Sequence, residues 1–440
     1  MQIVYVPIGV PTFDLGEAEK QFEMSKQLLF EIDSLICVPE KILLSLESIA
    51  TFLARYNPDL VIIQNITFAN SEYCSEVVSR TTCPVLLWTL REPDSNGGRL
   101  KLNSLTGAFS AGNVMYALGR SDFEYIIGAP DEVSLKTKIE HYVKATKVYY
   151  QLKKLSLAAI GGTPQGFGFG RALDAELRRF FGVRLISAES RELMKKAALY
   201  TTEELDCYKK EIEKSCIGTE KIPAKNFEGY LRLRKAYADF ISENTIGALA
   251  SRCWPDFFTE YGTPVCAVLS MLNNTGIPAT GESDIYGALT MYIAWRFTGT
   301  PAFFGDPVAM NEDMNTITYW HCGMAAPKLT DKAFLGVHPN RKIGPVMDFG
   351  CKSADTATVI RIGRKPDGKF RMLIITGSIP AAPRQYSGTS VVFKPETAVG
   401  NLVYTTVKDG WEPHYIVVFS NIVQETVYLA NLLHLEICRF

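Results

Sequence analysis

The stretch from Thr280 to Asp306 reads TGESDIYGALTMYIAWRFTGTPAFFGD, and it holds two acids at places that suit chemistry. Glu282 follows Gly281 at the head of a predicted helix over residues 285–297, which Gly299 and Pro301 end. A short apolar strand over 302–304 comes next, with Asp306 just beyond its end. A strand–helix–strand order predicts that Glu282 and Asp306 reach one edge of a sheet, where α/β domains present functional side chains. Two carboxylates so placed can serve as acid and base on opposite sides of a reacting carbon, or as oxygen ligands of a hard cation. The plainer alternative is that Glu282 or Asp284 caps the helix and Asp306 opens a turn.

Five histidines limit the nitrogen ligands. His141 and His434 fall in predicted helices with ordinary surroundings and read as structural. His338 lies in a polar loop, His338-Pro339-Asn340-Arg341, where solvent would satisfy it. His321 sits at a strand end beside Cys322, and His414 directly precedes a strand. The 10 cysteines, from Cys37 to Cys438, include no C-x-x-C pair. They are expected to be buried, reduced thiols rather than a thiolate metal centre.

The elements that must position these residues are α/β for most of the chain. Residues 3–6, 60–63, 85–88 and 125–127 are short apolar runs separated by segments of helical period, such as 15–30, 42–55 and 131–153. That alternation predicts a parallel sheet with helices on both faces. A second unit of the same kind begins near residue 155, with strands over 155–160, 183–187 and 246–250 and a long charged helical stretch over 202–244. The last third changes to alternating runs over 356–363, 370–376, 390–393 and 415–420. Lys365-Pro366-Asp367-Gly368 forms a hairpin turn there, and a terminal helix follows over 421–434. The expected architecture is two doubly wound Rossmann-like domains, residues 1–150 and 151–340, followed by a mainly antiparallel β domain, residues 341–440, with a terminal helix.

The Thr280–Asp306 stretch resembles the metal-binding segment of L-fucose isomerases. There, a Glu near the start of a helix is followed by a turn, a short apolar strand and an Asp. The matching pieces are Glu282, Asp284, Gly287, Thr298-Gly299-Thr300, Phe304 and Asp306, with Phe297 a mild departure at the turn. Further resemblance to the L-fucose and L-arabinose isomerase superfamily lies in Gly97-Gly98-Arg99-Leu100, Leu102–Ala108, Ser251-Arg252-Cys253-Trp254-Pro255, Trp320-His321-Cys322-Gly323 and Trp411-Glu412-Pro413-His414. It is spread over nearly the whole length and is strongest from Arg252 to Cys322.

The resemblance implies a metal-dependent aldose–ketose isomerase working through a cis-enediol intermediate. Its metal ligands would be Glu282, Asp306 and His414, with Glu282 and Asp306 also the catalytic acids. His321 would be an extra ligand or a neighbour of the site. The expected metal is Mn²⁺, or another divalent cation such as Mg²⁺ or Co²⁺. Substrate contacts are expected from Gln165, Arg252, Trp254, His321, Asn103 and Arg99. Arg99 and Asn103 would come from a loop that caps the site of a neighbouring subunit in a homo-oligomer. The chain is shorter than typical L-fucose isomerases, so the sugar does not transfer with the resemblance. Relatives of this broad family include isomerases for sulfoquinovose, a hexose ending in a sulfonate. An L-fucose-like hexose and a sulfonated hexose both remain open, with Gln165, Arg252, Asn274 and Arg384 as polar candidates for the far end of the sugar.

Two other functions compete. Gly161–Gly170 follows a strand and invites a dinucleotide site, hence an NAD-dependent sugar oxidoreductase. Gly166, Gly168 and Gly170 have the wrong spacing for that phosphate turn. A loop shaping the sugar pocket, with Gln165 or Arg171 near substrate, fits better. Paired α/β domains also occur in non-catalytic sugar sensors, but the two acids would then have no role. The formal net charge of -1 leaves no field to gather nucleic acid or an anionic membrane. No apolar run is long enough to span a bilayer, and the N-terminus lacks a signal-peptide pattern, so a cytoplasmic protein is expected.

Overall fold

A computed structural model of the chain describes residues 1–93 and 97–440. The chain forms two compact units, Met1–Tyr149 and Tyr150–Phe440. In the first, strands β1 (Ile3–Ile8), β2 (Leu60–Asn65), β3 (Val85–Thr89) and β4 (Phe123–Ile127) lie parallel in that order. The extended segment 37–43 bridges the outer edge of β1, with Cys37 beside Val4 and Leu43 beside Ile8. Counted as a strand, it reverses the winding at β1 and makes the sheet doubly wound.

Helices cover both faces of this sheet. On one, α1 (Leu15–Ile32) stacks Phe22 on Tyr5, with ring centroids 6.2 Å apart. On the same face, α5 (Val133–Leu152) brings the Tyr142 hydroxyl to the Val85 carbonyl at 3.1 Å. On the other face, Val4, Val6, Val61 and Val85 pack with Ile49, Val77 and Met115 of helices α2 (Leu46–Leu53), α3 (Ser71–Arg80) and α4 (Ser104–Ala117). Burial from both sides explains why β1 to β3 read as unbroken apolar runs rather than alternating ones.

The second unit contains two larger sheets. In the first, β5 (Ser156–Ile160), β6 (Arg184–Ala188), β7 (Ala248–Ser251) and β8 (Ala279–Thr280) are parallel in the order β6-β5-β7-β8. The winding reverses between β5 and β7, which opens a crevice at their carboxyl ends, where the loops from Gly161 and Ser251 begin. The expected long helix over 202–244 is two helices, Asp206–Ser215 and Ala224–Asn244. Pro223 directly precedes the second, where its missing N–H and fixed φ suit a helix start.

A small ribbon, β11 (Leu335–Gly336) with β12 (Val346–Met347), stands apart from the other large sheet. That sheet has eight strands: β9 (Phe303–Asn311), β10 (Thr316–His321), β13 (Phe349–Gly350), β14 (Ala354–Arg364), β15 (Phe370–Ile379), β16 (Thr389–Pro395), β17 (Tyr415–Val418) and β18 (Glu436–Arg439). They run in the order β13-β16-β10-β9-β17-β14-β15-β18, antiparallel except for the outermost pair at each edge. The sheet thus takes β9 and β10 from the segment before residue 340. The terminal helix is Val423–Leu432, and β18 follows it.

Asp306 is not past the end of a short strand. It lies inside the nine-residue β9, paired with Trp320. Pro307 is tolerated there because β17 pairs with β9 only over Phe303–Gly305, leaving that side of Pro307 unpaired. Among the described residues, no helix is long and apolar enough to cross a membrane.

Candidate active site

Three neighbouring strands bring the expected residues together. His321 ends β10, Asp306 lies on β9, and His414 immediately precedes Tyr415, which pairs with Gly305. Glu282 arrives from the other sheet, on the turn between β8 and the helix Ile285–Thr298. The two acids therefore come from two sheets that meet, not from one sheet edge. The helix start explains the turn: Asp284 caps it, accepting from the Gly287 N–H at 2.9 Å. Glu282 and Ser283 both adopt left-handed backbone, with φ of 50° and 53°. Such conformations cost roughly 1–2 kcal/mol per residue and persist where surrounding structure fixes them. Here the Ser283 N–H donates to the Ser251 carbonyl and the Asp284 N–H to the Gly281 carbonyl, both at 3.1 Å.

His414 is the centre of the cluster and is almost fully buried. Its Nε2 lies 3.2 Å from Glu282 Oε2 and 3.4 Å from Asp306 Oδ1. Its Nδ1 lies 2.9 Å from Asp284 Oδ2. Asp284 in turn receives both arms of the Arg361 guanidinium, at 2.6 and 3.0 Å. His321 Nε2 lies 3.4 Å from the same Glu282 oxygen, and its Nδ1 lies 3.3 Å from the Cys322 thiol. Phe304 and Phe169 pack against His414, with ring centroids at 4.5 and 5.1 Å. Close approach forbids larger residues nearby: a Cβ at Gly287 would fall 2.6 Å from Asp284 Oδ2, and one at Gly170 would fall 2.9 Å from Asp284 Cα.

The electrostatics separate the two acids. Burial would raise the Glu282 carboxyl, but hydrogen bonds and charge from His321 and His414 outweigh it and hold Glu282 well below the usual range. Burial raises Asp306, and the attraction of His414 and His321 only partly offsets that. For His414, burial acts downward, yet Asp284 and Glu282 raise its pKa to about 9. Asp284 stays low because the Arg361 charge and the His414 bond overcome burial.

The donor set fits a divalent cation. Ligand atoms of Glu282, His321 and His414 all lie within 4.8 Å of one another, and Asp306 Oδ1 lies beside His414. Oxygen and imidazole donors without thiolate suit a hard or borderline metal. A carboxylate on the far nitrogen, as Asp284 is on His414, turns the other nitrogen toward such an ion.

The remaining expected residues are placed differently. Trp254 is half-buried and packs on Phe167 at 5.8 Å, while Gln165 is exposed on the same loop. The Arg252 guanidinium bonds to the Gly162 and Thr163 carbonyls at 3.2 and 3.3 Å and to Asp256 at 3.1 Å, so it fastens the loop. Arg384 is paired with Asp348, and Asn274 accepts from the Lys328 N–H at 3.0 Å. In the first unit, Arg99 bonds to the Thr12 carbonyl. Asn103 has φ 53° and accepts from Thr106 Oγ1 at 2.7 Å. The expected loop over 99–107 becomes helix from Ser104. His338 is buried rather than solvated. Sequence reasoning missed the Asp284–Arg361 pair and the Cys322 contact with His321. A lone Arg within the apolar run TATVIRIG was the available signal for the first.

Comparison with known proteins settles the family. The chain is 54% identical over 438 residues to the sulfoquinovose isomerase of Clostridium sp. (strain MSTE9), across 99% of this chain and 98% of that one. The chain belongs to the sulfoquinovose isomerase family. Sulfoquinovose isomerases of Priestia megaterium and Alkalicoccus urumqiensis are 34% and 32% identical, each across 99% of this chain. No protein-family profile matches the sequence. Sulfoquinovose isomerase family membership makes the chain an enzyme, and an isomerase, as the likeness to the sugar isomerases implied.

Proposed function

We propose that this isomerase interconverts sulfoquinovose and the corresponding 2-ketose, with a divalent cation held by Glu282, Asp306 and His414. The substrate comes from the names of its relatives. The observation that carries the chemistry is the convergence of His321 and His414 on Glu282, with Asp306 against His414, between two sheets. The arrangement of the domains is read as that of the fucose and arabinose isomerases. The protein is read as a cytoplasmic homo-oligomer, in which the segment around Arg99 and Asn103 completes a neighbour's site.

The reaction moves two hydrogens and leaves the formula unchanged. The C2 proton leaves to a carboxylate while O1 gains a proton, which yields a cis-enediol. O2 then gives up its proton and C1 receives one. Glu282 and Asp306 are the two carboxyl groups at the site that can take and give these protons; Glu282 is held anionic, and Asp306, pushed up by burial, is the more basic of the two. Asp284 and Arg361 hold His414 in one orientation. Phe304 and Phe169 keep water from that ring. A bound Mn²⁺, Mg²⁺ or Co²⁺ supplies positive charge for the oxygen anion that develops as the carbon-bound proton leaves.

Two expectations test the reading. Exhaustive chelation is expected to abolish turnover and added Mn²⁺ to restore it, whereas full activity in a verified metal-free sample would refute the metal. In D₂O, the Mn²⁺-loaded protein is expected to place deuterium at C2 of recovered sulfoquinovose, read by NMR beside fucose, arabinose, xylose, glucose and mannose. Absence of exchange with every aldose would overturn the enediol route.

A further inference from the structure

We propose that Arg341, with Lys342 beside it in the chain, is the subsite for the anionic end of the sugar. This rests on the reading of the substrate as a sulfonated hexose. The arginines that the sequence offered for this role, Arg252 and Arg384, already hold Asp256 and Asp348. Arg341, Lys342 and Arg171 are exposed, and no ion pair is found for any of them among the described residues.

Two series of side-chain contacts lead from the cluster around His414 to Arg341. Along one, His414 touches Phe169 at 5.1 Å, Phe169 touches Phe167 at 5.6 Å, and Phe167 touches Trp254 at 5.8 Å. The Arg341 guanidinium lies over that Trp254 ring at 5.6 Å. Along the other, Cys322 lies 3.3 Å from His321 and groups within 4.8 Å with Cys266 and His338. His338 packs edge-on against Phe258 at 5.0 Å, and Arg341 lies over Phe258 at 5.8 Å. Both routes end at one guanidinium. His338, between the ends, feels the charges of His321 and Glu282 as well as those of Arg341 and Lys342.

The turn that presents Arg341 is fixed in place. The Asn340 and Arg341 N–H groups both donate to Nδ1 of buried His338, at 3.3 Å. The Lys342 N–H donates to the His338 carbonyl at 2.8 Å, and Lys342 takes a left-handed φ of 58°. A non-glycine residue strained in this way marks a turn whose shape is imposed by its surroundings. Arg171 stands on the 161–171 loop, where its Nε donates to Thr163 Oγ1 at 2.6 Å. A guanidinium lying over aromatic rings has little freedom left to lose, and its fork matches the oxygens of a sulfonate.

The test compares Arg341→Gln with the wild-type Mn²⁺-loaded enzyme on sulfoquinovose and on glucose, which differ at C6. Losing charge-assisted bonds is expected to raise KM for sulfoquinovose about 10- to 100-fold, with kcat little changed. Glucose exchange at C2 should be unaffected, Arg341→Lys should recover part of the loss, and methanesulfonate should compete in the wild type but less in Arg341→Gln. An unchanged KM for sulfoquinovose, or an effect on kcat alone, overturns the subsite while leaving the substrate reading intact. Wild-type enzyme that exchanges a neutral aldose and ignores sulfoquinovose overturns both.

Discussion

Glu282→Gln and Asp306→Asn are each expected to lower turnover at least about a hundredfold, the scale of a well-placed acid or base. Both side chains lie against His414 Nε2, at 3.2 and 3.4 Å, so each amide removes charge and basicity from one point while keeping its shape. Their effects on folding should differ in sign. The Glu282 carboxyl is depressed, so its anion stabilises the fold above the ordinary carboxylate pKa and loses that contribution as pH falls. Glu282→Gln should therefore lower the melting temperature at neutral pH. The Asp306 carboxyl is raised, so its anion is the disfavoured form in the folded chain, and the cost grows as pH rises. Asp306→Asn should hold or raise the melting temperature while turnover collapses. Steady-state kinetics of the Mn²⁺-loaded proteins and thermal melting of the metal-free ones check both, and near-normal turnover in either variant would remove that acid from the chemistry.

The sequence made the parallel sheets legible because strands buried on both faces are unbroken apolar runs. The 60–65 and 85–89 strands could be placed within a residue or two for that reason. It also singled out Glu282 and Asp306, which do lie together against His414, although Asp306 sits inside β9 rather than past a strand end. Other elements were hidden by composition. The helix Val399–Lys408 is rich in β-branched residues, and only its docking through Val399, Leu402 and Thr406 makes it a helix. The first turn of helix Ser104–Ala117, with Gly107, fell in the loop expected over 99–107, but a side chain at Gly107 would place its Cβ 2.5 Å from Asn65 Nδ2. Packing, not propensity, chose that glycine. The long-range pairing of Asp284 with Arg361 could not follow from local pattern, because 77 residues separate them.

That pairing gives the largest expected effect on stability. Arg361→Met is expected to destabilise the protein by about 3–5 kcal/mol, the cost of breaking a buried ion pair from one side. Arg361 is completely buried in β14, and its two bonds at 2.6 and 3.0 Å to Asp284 replace the water both ions have lost. Without the guanidinium, the Asp284 anion keeps, among the described residues, His414 and the Gly287 N–H. Asp284→Asn leaves the opposite orphan, a buried cation, and should cost a comparable amount. The double variant carries neither charge and should be more stable than the sum of the two losses predicts. Turnover should not recover with it, because His414 Nδ1 would face an amide instead of the carboxylate that fixes its orientation. Urea unfolding of the four proteins gives the coupling, and their kinetics give the second readout. Additive stability losses would mean that the pair does not act as one unit. Turnover restored in the double variant would mean that Asp284 supports the fold and leaves the orientation of His414 to other contacts.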